Sequence, residues 1–369
     1  MSRNKLEKPM RQQRSAAKAQ PNSRMKRTPP LSKSGRRGKV QGKTGSGEHE
    51  HRAFKAGYSA AAGQVGYSLS YEHLQSSFLN WFKETINESL TWRSILGISR
   101  AYRRGYNMIA KEPLLGIPLP LQGTVSAVVS ACNEERTIAA VISELSRLPI
   151  REIIVVLNGC KDRSYHSIGR NDRVIVVYYP RRLGHDVARG IGASMATGDA
   201  VLFTDGDIVL DAEDLAPFLL EIDKGADIVL NDISPYLPPF SKQDAVTRSK
   251  MFLNHVLGRP DLQANSLTAV PHALSRRAIA ELGVRSLVVP PKAQALAIVR
   301  GLVIRAPRSI DVVKRNRVRS GNVGDGNEVA RLILGDHIEA FEAAMELQGA
   351  RLSMTRTPRD KLARKRNCR

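Results

Sequence analysis

The feature that most limits what this chain can fold into lies between residues 123 and 230. Five short apolar runs, at 125–131, 152–157, 174–178, 200–204 and 227–230, alternate with helical patterns at 135–147, 186–196 and 211–224. Runs this short and this continuously apolar leave no solvent-facing side, since a half-buried strand carries polar residues at every second position. Strands buried on both faces need helices above and below them. The pattern therefore predicts an α/β domain on a mainly parallel, Rossmann-like sheet covered on both faces. In such sheets ligands bind outside the carboxyl ends of the strands, so the residues that end the runs are where chemistry is to be sought.

The first run gives way to Ala131-Cys132-Asn133-Glu134-Glu135, and the second to Asn158-Gly159-Cys160-Lys161-Asp162-Arg163-Ser164. The third is followed by Arg182-Leu183-Gly184-His185-Asp186-Val187-Ala188-Arg189, and the fourth ends in Asp205-Gly206-Asp207. Four strand ends thus bring amide, carboxylate and guanidinium groups to one rim, as a polar pocket requires. Asp205-Gly206-Asp207 carries the clearest chemistry. Hard divalent cations such as Mn²⁺ or Mg²⁺ take few carboxylate ligands and complete their shell with water and phosphate oxygens. A cation held there would neutralise a diphosphate leaving group, and the glycine lets the backbone turn close to the ligand. The competing reading is an acidic turn. Gly190 and Gly192 lack the third glycine of a dinucleotide-binding loop and read as close helix–sheet packing. His185 reads either as a phosphate-orienting group or base, or as a structural histidine, and Cys132 and Cys160 read as structural.

Charge is distributed unevenly. Of a net +22, the residues up to Lys55 hold 16 basic and three acidic side chains with few large apolar groups, so residues 1–56 are expected to form a disordered basic tail. Residues 350–369 read as a second one. Such tails would be either solubilising or an electrostatic tether to an anionic membrane surface; nucleic acid is the less favoured partner, because no aromatic residues interleave the charges. Between the tail and the α/β domain, residues 57–120 read as a helical segment and linker: Leu74, Phe78, Trp81, Phe82, Ile86 and Leu90 recur mostly at helical steps, while residues 114–120 are broken by proline and glycine. The α/β domain then spans 121–349. Three cysteines, Cys132, Cys160 and Cys368, offer no disulfide framework. With no membrane-spanning run or apolar leader core in the sequence, a cytoplasmic protein, with peripheral membrane contact as the addition, is the expectation.

The order of these features resembles a family 2 glycosyltransferase of the GT-A fold. The opening strand with its Asn133-Glu134-Glu135 turn, the basic segment Arg182–Arg189 and the Asp205-Gly206-Asp207 motif match well, and Leu157-Asn158-Gly159-Cys160-Lys161-Asp162 matches in part. The resemblance implies transfer of a sugar from a nucleotide-diphosphate sugar to an acceptor hydroxyl. It implies that Ala131, Asn133, Glu134, Asn158 and Asp162 hold base and ribose. Arg182 and Arg189 would lie near the nucleotide or diphosphate, Asp205 would contact ribose or metal, and Asp207 would bind the metal directly. One departure stands out: the region that matches the family's late acid, Pro290-Pro291-Lys292-Ala293-Gln294-Ala295, has no carboxylate. Activation of the acceptor then comes from elsewhere, the reaction is retaining, or activity is lost. Asp336 and His337 are the candidates for a late catalytic group, with His337 a possible metal ligand; the alternative is a helix start capped near Gly335. A sugar-phosphate nucleotidyltransferase and a non-catalytic anion-binding protein are the competing classes.

Overall fold

A computed structural model describes residues 44–64, 69–312, 328–356 and 358–367. Three helices come first, α1 (Thr44–Ala62), α2 (Tyr71–Thr85) and α3 (Trp92–Asn107). Then follow β1 (Val125–Ala131), α4 (Ile138–Ser146), β2 (Glu152–Asn158), α5 (Ser164–Ser167), β3 (Val174–Tyr179), α6 (Val187–Met195), β4 (Ala200–Asp205), α7 (Ala212–Asp223) and β5 (Ile228–Asn231). The second half contributes α8 (Ala245–Val256), β6 (His272–Ser275), α9 (Arg276–Leu282), α10 (Pro290–Val299), β7 (Ile304–Arg308), α11 (Glu328–Gln348) and α12 (Arg359–Asn367).

The strands form one seven-stranded sheet in the order β3-β2-β1-β4-β6-β5-β7. All pairings are parallel except those of β6, which runs antiparallel to both β4 and β5. The period-two alternation of a strand divides the core into two layers. Val125, Ala127, Val129 and Ala131 of β1, with Ile153, Val155 and Leu157 of β2, pack under α4 and α7. Val128, Ile154, Val156, Val201 and Phe203 face the other way, under α6, α9 and α10. The expected two-sided α/β sheet is therefore what the chain adopts. Gly192 confirms the packing role read for it, since a Cβ there would collide with the Val128 side chain.

Two expected boundaries move. Residues 44–56 lie in α1 rather than in a tail. Gly57 and Gly105 let α1 and α3 approach until a Cβ on either would strike the other helix's backbone, at Tyr102 O and Phe54 O respectively. Tertiary packing of Ala53 and Ala61 against Phe78, Tyr102 and Tyr106 thus stabilises a helix that its own composition does not announce. At the other end, Leu352 is buried against α8, α10 and α11, Ser353 Oγ donates to Val256 O at 2.6 Å, and α12 follows, so residues 350–369 are not wholly a loose tail. Residues 1–43 lie outside the described residues. The segment 114–120 is firmly stapled: Ile117 and Leu119 are buried, Tyr71 Oη donates to Ile117 O at 3.0 Å, and Gln75 exchanges two hydrogen bonds with Leu119.

Candidate active site

The carboxyl ends of β1, β2 and β4 and the segment before α6 enclose an open cleft of about 570 Å³. Its walls include Ala131, Cys132, Glu134, Asn158, Arg182 and His185, and on the far side Asp186, Arg189, Asp205 and Asp207. Seven of the residues expected at the site therefore do converge: Ala131, Glu134, Asn158, Arg182, Arg189, Asp205 and Asp207.

The Asp205-Gly206-Asp207 turn is clamped on β1. Gly206 N–H donates to Ser130 O at 2.8 Å, and Thr137 Oγ1 donates to Gly206 O at 2.7 Å. A Cβ at Gly206 would lie 2.9 Å from Ala131 Cβ and 3.1 Å from Ile138 Cδ1, so the position is glycine because β1 and α4 leave no room. Both aspartates line the cleft. Removal from water pushes the Asp205 carboxyl up to about 6; Arg189 opposes the shift, while Asp207 and Asp186 add to it.

Arg189, 6% exposed, anchors the cleft floor. Its guanidinium pairs with Asp186 at 3.0 Å, donates to Leu267 O at 3.0 Å and stands 4.0 Å from Asp205. A buried guanidinium shared among two carboxylates and a carbonyl is a fixed counter-charge, holding α6 to the end of β4. The role of Asp186 as Arg189's partner has no signature in the sequence beyond the i,i+3 spacing.

Asn158 does not offer its amide to the cleft. Its Nδ2 donates to Gly184 O at 2.7 Å and its Oδ1 accepts from Leu183 N–H at 2.8 Å. It thus positions the loop that carries Arg182 and His185. Asp162 and Asn133 are also turned to the backbone and do not line the cleft. Asp162 accepts from Glu135 N–H and from the Ser164 N–H, each at 3.0 Å, and from Ser164 Oγ. Burial pushes its carboxyl upward, but these hydrogen bonds prevail and hold it below the usual carboxylate range. Asn133 adopts a positive φ of 62° and its Oδ1 accepts from Lys161 N–H at 2.7 Å. These two residues shape the rim rather than contact a ligand in this conformation.

Asp336 and His337 sit on α11, away from the Asp205–Asp207 pair. Burial pushes Asp336 up to about 6, with Asp186 and Glu339 adding to the shift, so it lies within electrostatic reach of the cleft floor. His337 is 2% exposed; its Nδ1 bonds to Ile333 O at 2.6 Å, and its Nε2 has no hydrogen-bond partner among the described residues. Burial, aided by Lys250, lowers its pKa and favours the neutral ring, while the bond to Ile333 O opposes the shift. Lys250 on α8, unnoticed in the sequence, is itself pushed down to about 8 by burial, with Asp244 opposing. Lys292, where the family's late acid would stand, pairs with Glu339 of α11 at 2.7 Å.

The residues present suit a hard divalent cation. Asp205 and Asp207 are two carboxylates on one turn; burial is the main cause of the raised Asp205 pKa, and a cation there would offset both that desolvation and the added repulsion from Asp207 and Asp186. Among the described residues no group of three or more His, Cys, Asp or Glu side chains stands in a metal-holding arrangement, so His337 is not brought to this pair. Two protein ligands accord with the preference of Mg²⁺ for water and phosphate oxygens in its remaining positions.

Residues 126–280 match the model of glycosyl transferase family 2. That segment is similar to the family 2 glycosyltransferases. It holds β1 to β6 of the mainly parallel sheet and every wall of the cleft. Among curated proteins no relative matches. Similar solved structures include glucosyl-3-phosphoglycerate synthase from Mycobacterium tuberculosis with Mn²⁺, UDP and phosphoglyceric acid, at 21% identity over 59% of this chain and 78% of that one, with a TM-score of 0.43. The same enzyme with Mg²⁺ and UDP gives 19% identity over 59% and 79%, TM-score 0.44. A mycobacterial protein gives 20% over 59% and 75%, TM-score 0.45. No helix among the described residues is long and apolar enough to cross a membrane.

Proposed function

We propose that the chain transfers a sugar from a nucleotide-diphosphate sugar to an acceptor hydroxyl, a hexosyltransferase-type reaction that depends on Mn²⁺ or Mg²⁺. The observation that carries this reading is the Asp205-Gly206-Asp207 turn, clamped at the mouth of a cleft whose other walls are Arg182, Arg189 and the Ala131–Glu134 rim. Asp207 holds the cation, and Asp205 shares it or takes the ribose. When bound, the cation supplies neutralisation of the charge that develops on the diphosphate leaving group. Arg182, exposed at the rim on a loop fixed by Asn158, lends a mobile positive charge to the same phosphates. Arg189 keeps Asp186 and Asp205 compensated while the cleft is open.

Transfer breaks the bond between the anomeric carbon and the diphosphate oxygen and forms one to the acceptor oxygen, whose proton must leave. Asp336 is the proposed recipient. Among the described residues it is the carboxylate outside the aspartate turn whose pKa is raised toward the working range, by burial first and then by Asp186 of the cleft floor. His337, buried and neutral, orients this end of α11. Peripheral contact with an anionic membrane surface belongs to the same proposal and is assigned to the basic residues before α1, which lie outside the described residues.

Hydrolysis or transfer across a panel of nucleotide sugars, with Mn²⁺, Mg²⁺ or EDTA, tests the reading. Metal-dependent release of a nucleoside diphosphate from one donor class is the expected result. No release and no binding of any nucleoside diphosphate under any metal condition would remove the transferase assignment.

A further inference from the structure

Cys132 and Cys160 are both free thiols, and the proposed transfer uses neither. They occupy the extensions of β1 and β2, adjacent parallel strands whose backbones run about 4.8 Å apart. Cys160 Sγ accepts the Asn133 N–H at 3.4 Å and donates to Ala131 O at 3.6 Å. Those two groups belong to the peptide bonds immediately after and immediately before Cys132. The Cys160 sulfur therefore rests against the backbone of Cys132 itself. The register pairs Ala131 with Leu157, and the chain turns at Gly159, with a φ of 72°, before Cys160 meets the peptide groups of Cys132; a disulfide needs Cα atoms about 4.4–6.8 Å apart. Access differs between the two: Cys132 is half-buried and lines the cleft, while Cys160 is 8% exposed behind it.

We propose that Cys132 and Cys160 form an oxidisable dithiol in the cleft wall, which a peroxide converts to a disulfide that closes the site to nucleotide. Cys132, the thiol that a small oxidant reaches through the cleft, attacks the peroxide as thiolate; the O–O bond breaks, Cys132 becomes a sulfenic acid and water leaves. The Cys160 sulfur then attacks the Cys132 sulfur, its proton departs with the hydroxyl as a second water, and the disulfide forms. Two thiols and one peroxide thus give one disulfide and two waters. Burial pushes the Cys160 thiol up, which suits the second, resolving role rather than the first.

The consequence for the cleft follows from the same hydrogen bonds. Once bonded to Cys132, the Cys160 sulfur has no proton for Ala131 O and turns away from the Asn133 N–H. Asn133 then loses an anchor for its left-handed backbone, and Ala131 and Glu134 on either side are walls of the cleft. The chemistry of the pair stands alone; its effect on nucleotide rests on the transferase reading.

The test uses the full chain carrying Cys368→Ser, so that two thiols remain. It is exposed to hydrogen peroxide, then followed by thiol titration in denaturant, peptide mass spectrometry and calorimetry with UDP and Mn²⁺. Both thiols should disappear together with a mass loss of about 2 Da and a peptide cross-linked between residues 132 and 160. UDP affinity should fall about tenfold or more and return with dithiothreitol. Cys160→Ser, which keeps a hydroxyl in the same hydrogen-bonding place, should yield oxidised Cys132 without a cross-link. Over-oxidation of Cys132 with Cys160 still a free thiol would overturn the pair, and a cross-link with unchanged UDP affinity would overturn the closure. Failure of the reduced protein to bind UDP would count against the transferase reading, while the mass spectrum would still decide the dithiol.

Discussion

Asn158 offers a test of whether the loop carrying Arg182 is held by one amide. Asn158→Asp exchanges only the amide nitrogen for an oxygen. Asn158 is 5% exposed and spends both ends of its amide, donating to Gly184 O at 2.7 Å and accepting from Leu183 N–H at 2.8 Å. An ionised carboxylate keeps the second bond and loses the first, leaving a buried carbonyl oxygen facing negative charge. The lost bond costs about 1 kcal/mol and the unsatisfied buried acceptor about 1–3 kcal/mol more, or about 2–4 kcal/mol in total. The sign with pH is fixed by linkage. Burial against a carbonyl raises the folded pKa of the new carboxyl above its unfolded value of about 3.9. The deficit is therefore smallest at low pH, where the protonated group donates to Gly184 O, and grows as pH rises through the folded pKa. Urea unfolding at pH 7.5 and pH 5 reads this, and calorimetry with UDP and Mn²⁺ reads the loop, with weaker binding expected at pH 7.5. A variant within about 0.5 kcal/mol of the parent at both pH values would refute the clamp, since surface substitutions alone stay in that range.

Gly206→Ala should destabilise by about 1–3 kcal/mol through overlap with Ala131 Cβ, and the double variant with Ala131→Gly should recover most of that loss; equal instability of the two would place the strain elsewhere. Glu152 accepts from Ser126 Oγ at 2.6 Å and from Thr197 N–H at 2.6 Å, and its pKa is lowered, burial opposing but these bonds prevailing. Its contribution is present above the unfolded value of about 4.3 and is lost as pH falls through the folded value, so the difference in urea midpoint between parent and Glu152→Gln should be full at pH 7 and shrink as pH falls below about 4.3. Asp336→Asn should cut turnover about 10²-fold or more with an unchanged melting temperature and unchanged UDP affinity; full turnover would remove Asp336 from the proton path.

β1, β2, β4 and β5 were legible because strands buried on both faces write themselves as nearly continuous apolar runs; β3, an edge strand with Ile175 and Tyr178 exposed, was legible from its apolar run alone, and the polar strand ends marked the rim where the cleft lies. The last two strands were not. His272–Ser275 is four residues with a histidine at its head, which packs neutral against Phe203 in the interior. Ile304–Arg308 is an edge strand interrupted by Pro307, a residue that edges tolerate and sequence patterns discount. The helix α1 was missed because its stability comes from contact with α3 and not from its own residues. Within the site, residue type foretold which strand ends matter, but not which way an amide points. Asn158, Asp162 and Asn133 were read as ligand contacts, and all three are turned to neighbouring backbone. Arg189 was placed near the diphosphate, whereas its hydrogen bonds go to Asp186 and Leu267 O, partners that only the folded chain brings to it.

The central claim is that Asp207 ties a divalent cation, and through it a diphosphate, to the end of β4. Calorimetry of UDP binding to the parent and to Asp207→Asn, each with Mn²⁺ and with EDTA, tests it most directly. The account predicts that Mn²⁺ strengthens UDP binding to the parent, that Asp207→Asn loses this gain by about tenfold or more at an unchanged melting temperature, and that uridine without metal binds both alike. UDP binding to Asp207→Asn that equals the parent's in Mn²⁺ would contradict it and return Asp205-Gly206-Asp207 to an acidic turn.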